Sequence, residues 1–297
     1  MIIDVHTHIG RYEKHFSEEF VMDTTKQGGM LGQDIDKAKE IWDVDLDQYL
    51  TELDDAGIHK AVILGFDVTR VTNTKVPDDY IFDFVEKNPD RLVGFAGVQP
   101  INYRGRFNAQ GLKDLEKAIE EYGFKGMKLY PTYAHYAPNH RAVYPFYQKA
   151  QEYHISAMLH LGASASSFTS LEYSRPYMLK QIGWDFPDLK LAASHMGYPW
   201  TEELLATMRM QSNIYADFSG MFGRPFIMAW DLVLAKQYDV LDRIMYGSDY
   251  PFCPPMKQCV EWIQHKLNEI CRDASWPTFT EEELSGLLGV NADRFMK

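Results

Sequence analysis

The chain has 297 residues, 45% of them hydrophobic and 24% charged, with a formal net charge of −12 at pH 7. This is the composition of a globular protein large enough to bury a substantial core, and its acidity argues against a nucleic-acid or anionic-membrane partner. The three cysteines, Cys253, Cys259 and Cys271, offer neither a disulfide framework nor a zinc-ribbon spacing.

The first predicted strand, Ile2–His6, runs into His6-Thr7-His8. Side chains alternate along a strand, so His6 and His8 share a face about 6–7 Å apart. Two imidazoles presented by a rigid strand can hold one divalent ion. The stretch Ile9–Asp43, with Lys26-Gln27-Gly28-Gly29-Met30 inside it, is too long for a plain connection. It is expected to form an active-site lid or an oligomer contact, and a homodimer is expected on the same ground.

Helix Leu46–Ala56 then leads to strand Ala61–Gly65, helix Tyr80–Glu86 to strand Leu92–Val98, and helix Leu112–Tyr122 to strand Gly126–Tyr130. Helix stops are legible at Ala56-Gly57, Asn88-Pro89 and Tyr122-Gly123. Helix Pro145–Tyr153 precedes strand Ser156–Leu161. Strand Lys190–His195, helix Glu202–Met210 and strands Asn213–Asp217 and Arg243–Ser248 follow. Met256–Arg272 and Thr280–Phe295 read as helical packing beneath the fold. Most strands recur about thirty residues apart, the length of one βα unit. No GxGxxG or P-loop marks an open nucleotide-binding sheet. The expectation is one α/β domain over residues 1–297: a (β/α)8 TIM barrel with a long loop after strand one and a C-terminal helical extension. No apolar run approaches the roughly 20 residues of a membrane span. The first strand starts too early for a leader, so a cytoplasmic protein is expected.

In such a barrel, chemistry gathers where strands end at their C-terminal side. His6 and His8 end strand one, His160 ends strand five, His195 ends strand six and Asp249 follows strand eight. Neutral imidazoles with a carboxylate form the ligand set of a zinc or manganese site that keeps one position open. Asp4-Val5-His6-Thr7-His8, Gly126-Met127-Lys128-Leu129-Tyr130-Pro131, Leu159-His160, Ser194-His195-Met196-Gly197 and Tyr246-Gly247-Ser248-Asp249-Tyr250-Pro251 occur in barrel order. In these motifs the chain resembles the amidohydrolase superfamily, within its amidohydrolase-related group of hydrolases, lactonases, hydratases and decarboxylases. The resemblance implies His6, His8, His160 and Asp249 as metal ligands. It makes His195 a base or electrophile beside the metal, or a ligand to a second ion. One divalent ion, zinc before manganese, is expected in preference to two.

Lys128 takes three readings: a carboxylated bridge between two metals, as in binuclear members of the superfamily, a contact to substrate or water, or a structural ion pair. Tyr130, Arg70, Trp200 and Arg224, with aromatic neighbours in the loops, suit a small aromatic or cyclic carboxylic acid as substrate. The first reading of function is a metal-dependent hydrolase. In it a metal held by His6, His8 and His160 activates water, Asp249 takes the proton, and His195 polarises the carbonyl. The alternative is a non-oxidative metal-dependent decarboxylase of an aromatic or unsaturated acid, with Asp249 or His195 protonating carbon. The second alternative is a barrel that binds metal without catalysis.

Overall fold

The computed structural model describes residues 1–27 and 35–297. Eight parallel strands follow one another in the sheet in chain order. They are β1 (Ile3–Thr7), β2 (Lys60–Leu64), β3 (Leu92–Val98), β4 (Gly126–Leu129), β5 (Ser156–Leu159), β6 (Leu191–Ala193), β7 (Ile214–Asp217) and β8 (Ile244–Met245). Backbone bonds close the barrel between β1 and the segment around and beyond β8. Val5 N–H donates to Tyr246 at 3.1 Å, Asp249 N–H to His6 at 2.9 Å and His8 N–H to Tyr250 at 2.7 Å. The expected TIM barrel is therefore the fold.

A register shift in β1 sets the parity of the His6-Thr7-His8 motif. Three steps from Asp4 to Thr7 pair with two from Ala61 to Ile63 of β2. An inserted residue resets which face the next side chain takes. Ile3 and Val5 accordingly pack in one buried cluster with Val62, Leu64, Phe95, Met158 and Met245, while His6 and His8 still reach the site above them. Asp4 fastens this irregularity, its Oδ1 accepting the N–H of His6 and that of Ser248, each at 3.0 Å. The C-terminal helix Asn291–Met296 closes the opposite end of the barrel. Phe295 joins the same inner cluster, and its carbonyl accepts the Ser156 hydroxyl at 2.6 Å. The terminal segment is thus packing beneath the barrel, as its sequence suggests.

Several elements differ from the sequence expectation. Strand six ends at Ala193 rather than His195 because His195, Met196 and Gly197 turn left-handed, with φ of 57°, 53° and 62°. The turn takes His195 off the strand line. Helix Pro225–Gln237 escaped the periodicity reading because it is apolar on almost every side, and Leu179–Asp185 because it is short and interrupted by Gly183. A small antiparallel ribbon, Phe66–Asp67 with Lys75–Val76, was too short to detect. The long stretch after β1 carries helices Tyr12–His15, Glu18–Gln27 and Ile35–Trp42, with Gly28, Gly29 and Met30 of its glycine-bearing segment outside the described residues. No helix among the described residues is long and apolar enough to cross a membrane.

Candidate active site

The strand ends open onto a cavity of about 570 Å³, the size of a small-molecule site. His8, His160, His195 and Asp249 line it. Its apolar wall comes from Phe20, Trp42, Phe66, Tyr130, Met221 and Phe252, and its polar side from Ser164, Ser166, Tyr198 and Arg224. Phe20 and Trp42 belong to the long stretch after β1, which therefore builds one wall of the cavity.

At the floor, His6, His195 and Asp249 each present a ligand atom within 4.8 Å of the others. Asp249 Oδ1 lies 3.4 Å from His6 Nε2 and 3.6 Å from His8 Nε2. His195 Nε2 stands 3.2 Å from His160 Nδ1, and His160 Nε2 is buried without a hydrogen-bond partner. All five residues named from the sequence converge, with His195 inside the tightest donor group rather than beside it.

Burial sets the protonation of these groups. It pushes His6 down to about 3, helped by the neighbouring Lys128 cation, and it also lowers His8 and His160. The imidazoles are thus neutral near pH 7, the form that binds metal. For Asp249, burial works toward protonation. Its interactions with His8, His195 and His6 override it, and the carboxyl is held well below its usual range. Neutral nitrogen donors, one anionic oxygen and an orphaned buried imidazole nitrogen together fit a divalent cation.

Lys128 is fully buried beneath this floor. Its ammonium donates to Ser194 Oγ at 2.6 Å and sits 5.4 Å from the Tyr130 ring centroid. Burial lowers its pKa to about 8 against the opposing pull of Asp217 and Asp249. It does not line the cavity and makes no ion pair among the described residues. The ion-pair reading of Lys128 is therefore corrected, and its ammonium lies behind the cavity wall rather than on it. It is a buried cation whose field helps keep His6 neutral.

The substrate-facing residues divide. Tyr130 lines the cavity, with its hydroxyl tied to the Gly65 carbonyl at 3.0 Å. Arg224 also lines it, its guanidinium 5.3 Å from the Tyr198 ring centroid and without a carboxylate partner among the described residues. Arg70 does not line the cavity: it donates to the carbonyls of Ala134 and His135, the latter at 2.7 Å, and so pins the loop after β4. Trp200 is absent from the wall as well and stacks under Arg175 at 5.2 Å. Both drop out as substrate contacts because each is already engaged in holding a loop or helix start.

Sequence reading missed Asp217, which ends β7 fully buried. Its Oδ2 accepts from His6 Nδ1 at 3.1 Å, and its Oδ1 accepts from the N–H groups of His195 at 3.2 Å and Ser219 at 3.0 Å. A charged residue at the C-terminal end of an otherwise apolar strand was the available signal.

The sequence model of the amidohydrolase family matches residues 3–297. The chain belongs to the amidohydrolase family. No curated protein sequence matches it. Among solved structures, this amidohydrolase is similar to an uncharacterized TIM-barrel protein from Bordetella bronchiseptica, with a TM-score of 0.75, 20% identity, and 99% and 98% of the two chains covered. It is similar also to a dihydroxybenzoic acid decarboxylase from Polaromonas sp. JS666, solved with manganese and 2-nitroresorcinol. That match has a TM-score of 0.70 and 17% identity over 99% and 96% of the chains. A probable 2-pyrone-4,6-dicarboxylic acid hydrolase from Acinetobacter baumannii gives a TM-score of 0.63 at 16% identity over 99% and 98%. These likenesses establish the barrel.

Proposed function

We propose that this amidohydrolase is a metal-dependent, non-oxidative decarboxylase of a small aromatic carboxylic acid. The observation that carries the reading is the cavity itself. Aromatic side chains wall one side, Arg224 supplies a cation without a carboxylate partner among the described residues, and the His6–His8–His160–His195–Asp249 group closes the floor. Decarboxylases of aromatic acids recur among the similar structures, three of them with manganese bound. This support favours the alternative over the hydrolase reading put first from sequence, which rests at the level of the family.

His6, His8, His160 and Asp249 would hold the ion, with His195 in reach of it. When bound, a divalent cation supplies a Lewis acid that takes up substrate oxygens and draws electron density from the ring. The chain's own residues do the rest. Phe66, Tyr130 and Phe252 present ring faces and edges against which an aromatic acid stacks. Arg224 offers paired N–H donors to an anionic group on the substrate. As the bond between ring carbon and carboxyl carbon breaks, that ring carbon must gain a proton. Asp249, ionised in the resting site, would first take that proton from an acidic hydroxyl of the substrate or from solvent and then pass it to the ring carbon, with His195 on the same cavity wall.

The test is product analysis with manganese-loaded protein and a panel of hydroxylated benzoates carrying a labelled carboxyl carbon. Release of labelled carbon dioxide with the decarboxylated ring as co-product is the expected outcome. Turnover of cyclic esters without carbon dioxide would return the assignment to hydrolysis.

A further inference from the structure

We infer that Asp217 is a positioning residue: with the carbonyl of Ser219 it fixes the imidazole tautomers of His6 and His195, leaving His6 Nε2 and, through the His195–His160 contact, His160 Nε2 free for a divalent cation. The inference rests on the metal reading above and goes beyond it by naming the groups that decide which nitrogen of each ring can bind.

The geometry permits one hydrogen pattern. Asp217 Oδ1 accepts from the backbone N–H of His195, the backbone N–H of Ser219 and the Ser219 hydroxyl, while Oδ2 accepts from His6 Nδ1 at 3.1 Å. A carboxylate has no hydrogen to give, so His6 carries its hydrogen on Nδ1 and keeps a lone pair on Nε2, which faces Asp249 at 3.4 Å. The Ser219 carbonyl, also acceptor-only, lies 2.9 Å from His195 Nδ1 and places that ring's hydrogen there too; His195 Nε2 then accepts from His160 Nδ1 at 3.2 Å, which leaves the lone pair of the partnerless His160 Nε2 for the cation. The Ser219 hydroxyl donates to Asp217, so its lone pairs face both Nδ1 atoms, each at 2.9 Å. One short segment after β7 thereby orients two imidazoles from β1 and β6. An outer partner of this kind fixes ring orientation and raises ligand basicity.

The division of labour between the two carboxylate oxygens makes Asp217→Asn a decisive variant. Three donors crowd the Oδ1 position, so the asparagine oxygen must sit there. Its amide nitrogen then occupies the Oδ2 position and donates to His6 Nδ1. That drives the His6 hydrogen onto Nε2, where it blocks the metal.

Two readouts follow, both on purified full-length protein and neither relying on turnover. In metal-free wild-type protein, long-range nitrogen–proton correlation spectra should show His6 protonated at Nδ1, and Asp217→Asn should reverse the pattern. In a manganese titration followed by the electron paramagnetic resonance of the free ion, Asp217→Asn should weaken binding about 10- to 100-fold. Ser219→Ala keeps the carboxylate and the carbonyl, so its affinity should fall less than about tenfold. Wild-type His6 protonated at Nε2 overturns the inference without any variant. So does an Asp217→Asn protein with wild-type manganese affinity, or a Ser219→Ala loss as large as that of Asp217→Asn. Wild-type protein with the expected tautomer but no manganese affinity defeats the metal reading instead.

Discussion

Asp23 is the residue whose removal should most visibly loosen the cavity. It lies on helix Glu18–Gln27, which also carries Phe20 and Thr24 of the cavity wall. Its carboxylate accepts from Ser166 Oγ at 2.7 Å, Ser167 N–H at 2.8 Å and Ser167 Oγ at 2.5 Å. These bonds latch the helix after β1 to the loop after β5, whose Ser164 and Ser166 line the opposite side. A charge-assisted bond is worth about 1.5–3 kcal/mol where water is excluded. Ser167 is exposed, so screening reduces the latch to roughly 1–3 kcal/mol in total. At 1.4 kcal/mol per factor of ten, Asp23→Ala should raise the open population about 5- to 100-fold. Hydrogen exchange reads this directly, since amide protection within residues 18–27 should fall by that factor while the barrel strands are unchanged. Protection within twofold of wild type would refute the latch.

Further predictions concern groups with separable roles. Arg224→Ala should raise KM for an anionic aromatic substrate about 10- to 100-fold, the worth of a charge-assisted contact. Arg70→Ala should leave KM unchanged and lower the melting temperature instead, because Arg70 secures the Ala134 and His135 carbonyls. Lys128→Met should keep about one equivalent of metal and melt no lower than wild type, since it removes a buried charge whose hydrogen bond is a single serine. Two equivalents in wild type falling to one in that variant would restore the carboxylated bridge. Asp78, raised to about 7 by burial against the hydrogen bond from Gly97 N–H, gives a pH signature. Its folded value lies above the ordinary carboxylate value of 3.8, so its contribution is complete below about pH 4 and lost as the pH rises through 7. Asp78→Asn should therefore gain on wild type by roughly 1–3 kcal/mol between pH 4.5 and 8, read by thermal melts at both.

The barrel was legible in the sequence because its strands are apolar runs recurring at the length of a βα unit, and because His6, His8, His160, His195 and Asp249 all fall at strand ends. The periodicity rule could not see helix Pro225–Gln237, whose outer face carries Phe226 and Trp230 as well as an apolar inner face. Side-chain destinations were less accessible. Arg70 and Arg224 both follow strands and look alike in sequence, yet one is consumed by two backbone carbonyls and the other faces the cavity. Lys128 sits where a metal bridge or substrate contact was expected, but its position one layer below the floor depends on barrel packing that spacing does not encode. Asp217 was overlooked because its partners lie 211 residues away at His6 and 22 away at His195.

On the proposed function, Asp249 and the strand-end histidines hold a metal and use it on an aromatic acid. The most direct measurement pairs metal content with labelled carbon dioxide release for wild type and Asp249→Asn. The expected result is about one equivalent of divalent metal in wild type, with part of it retained in the variant, whose turnover falls by about 10²–10⁴ as a positioned proton-transfer group is lost. Wild-type protein without metal, or a variant with undiminished turnover, would contradict it.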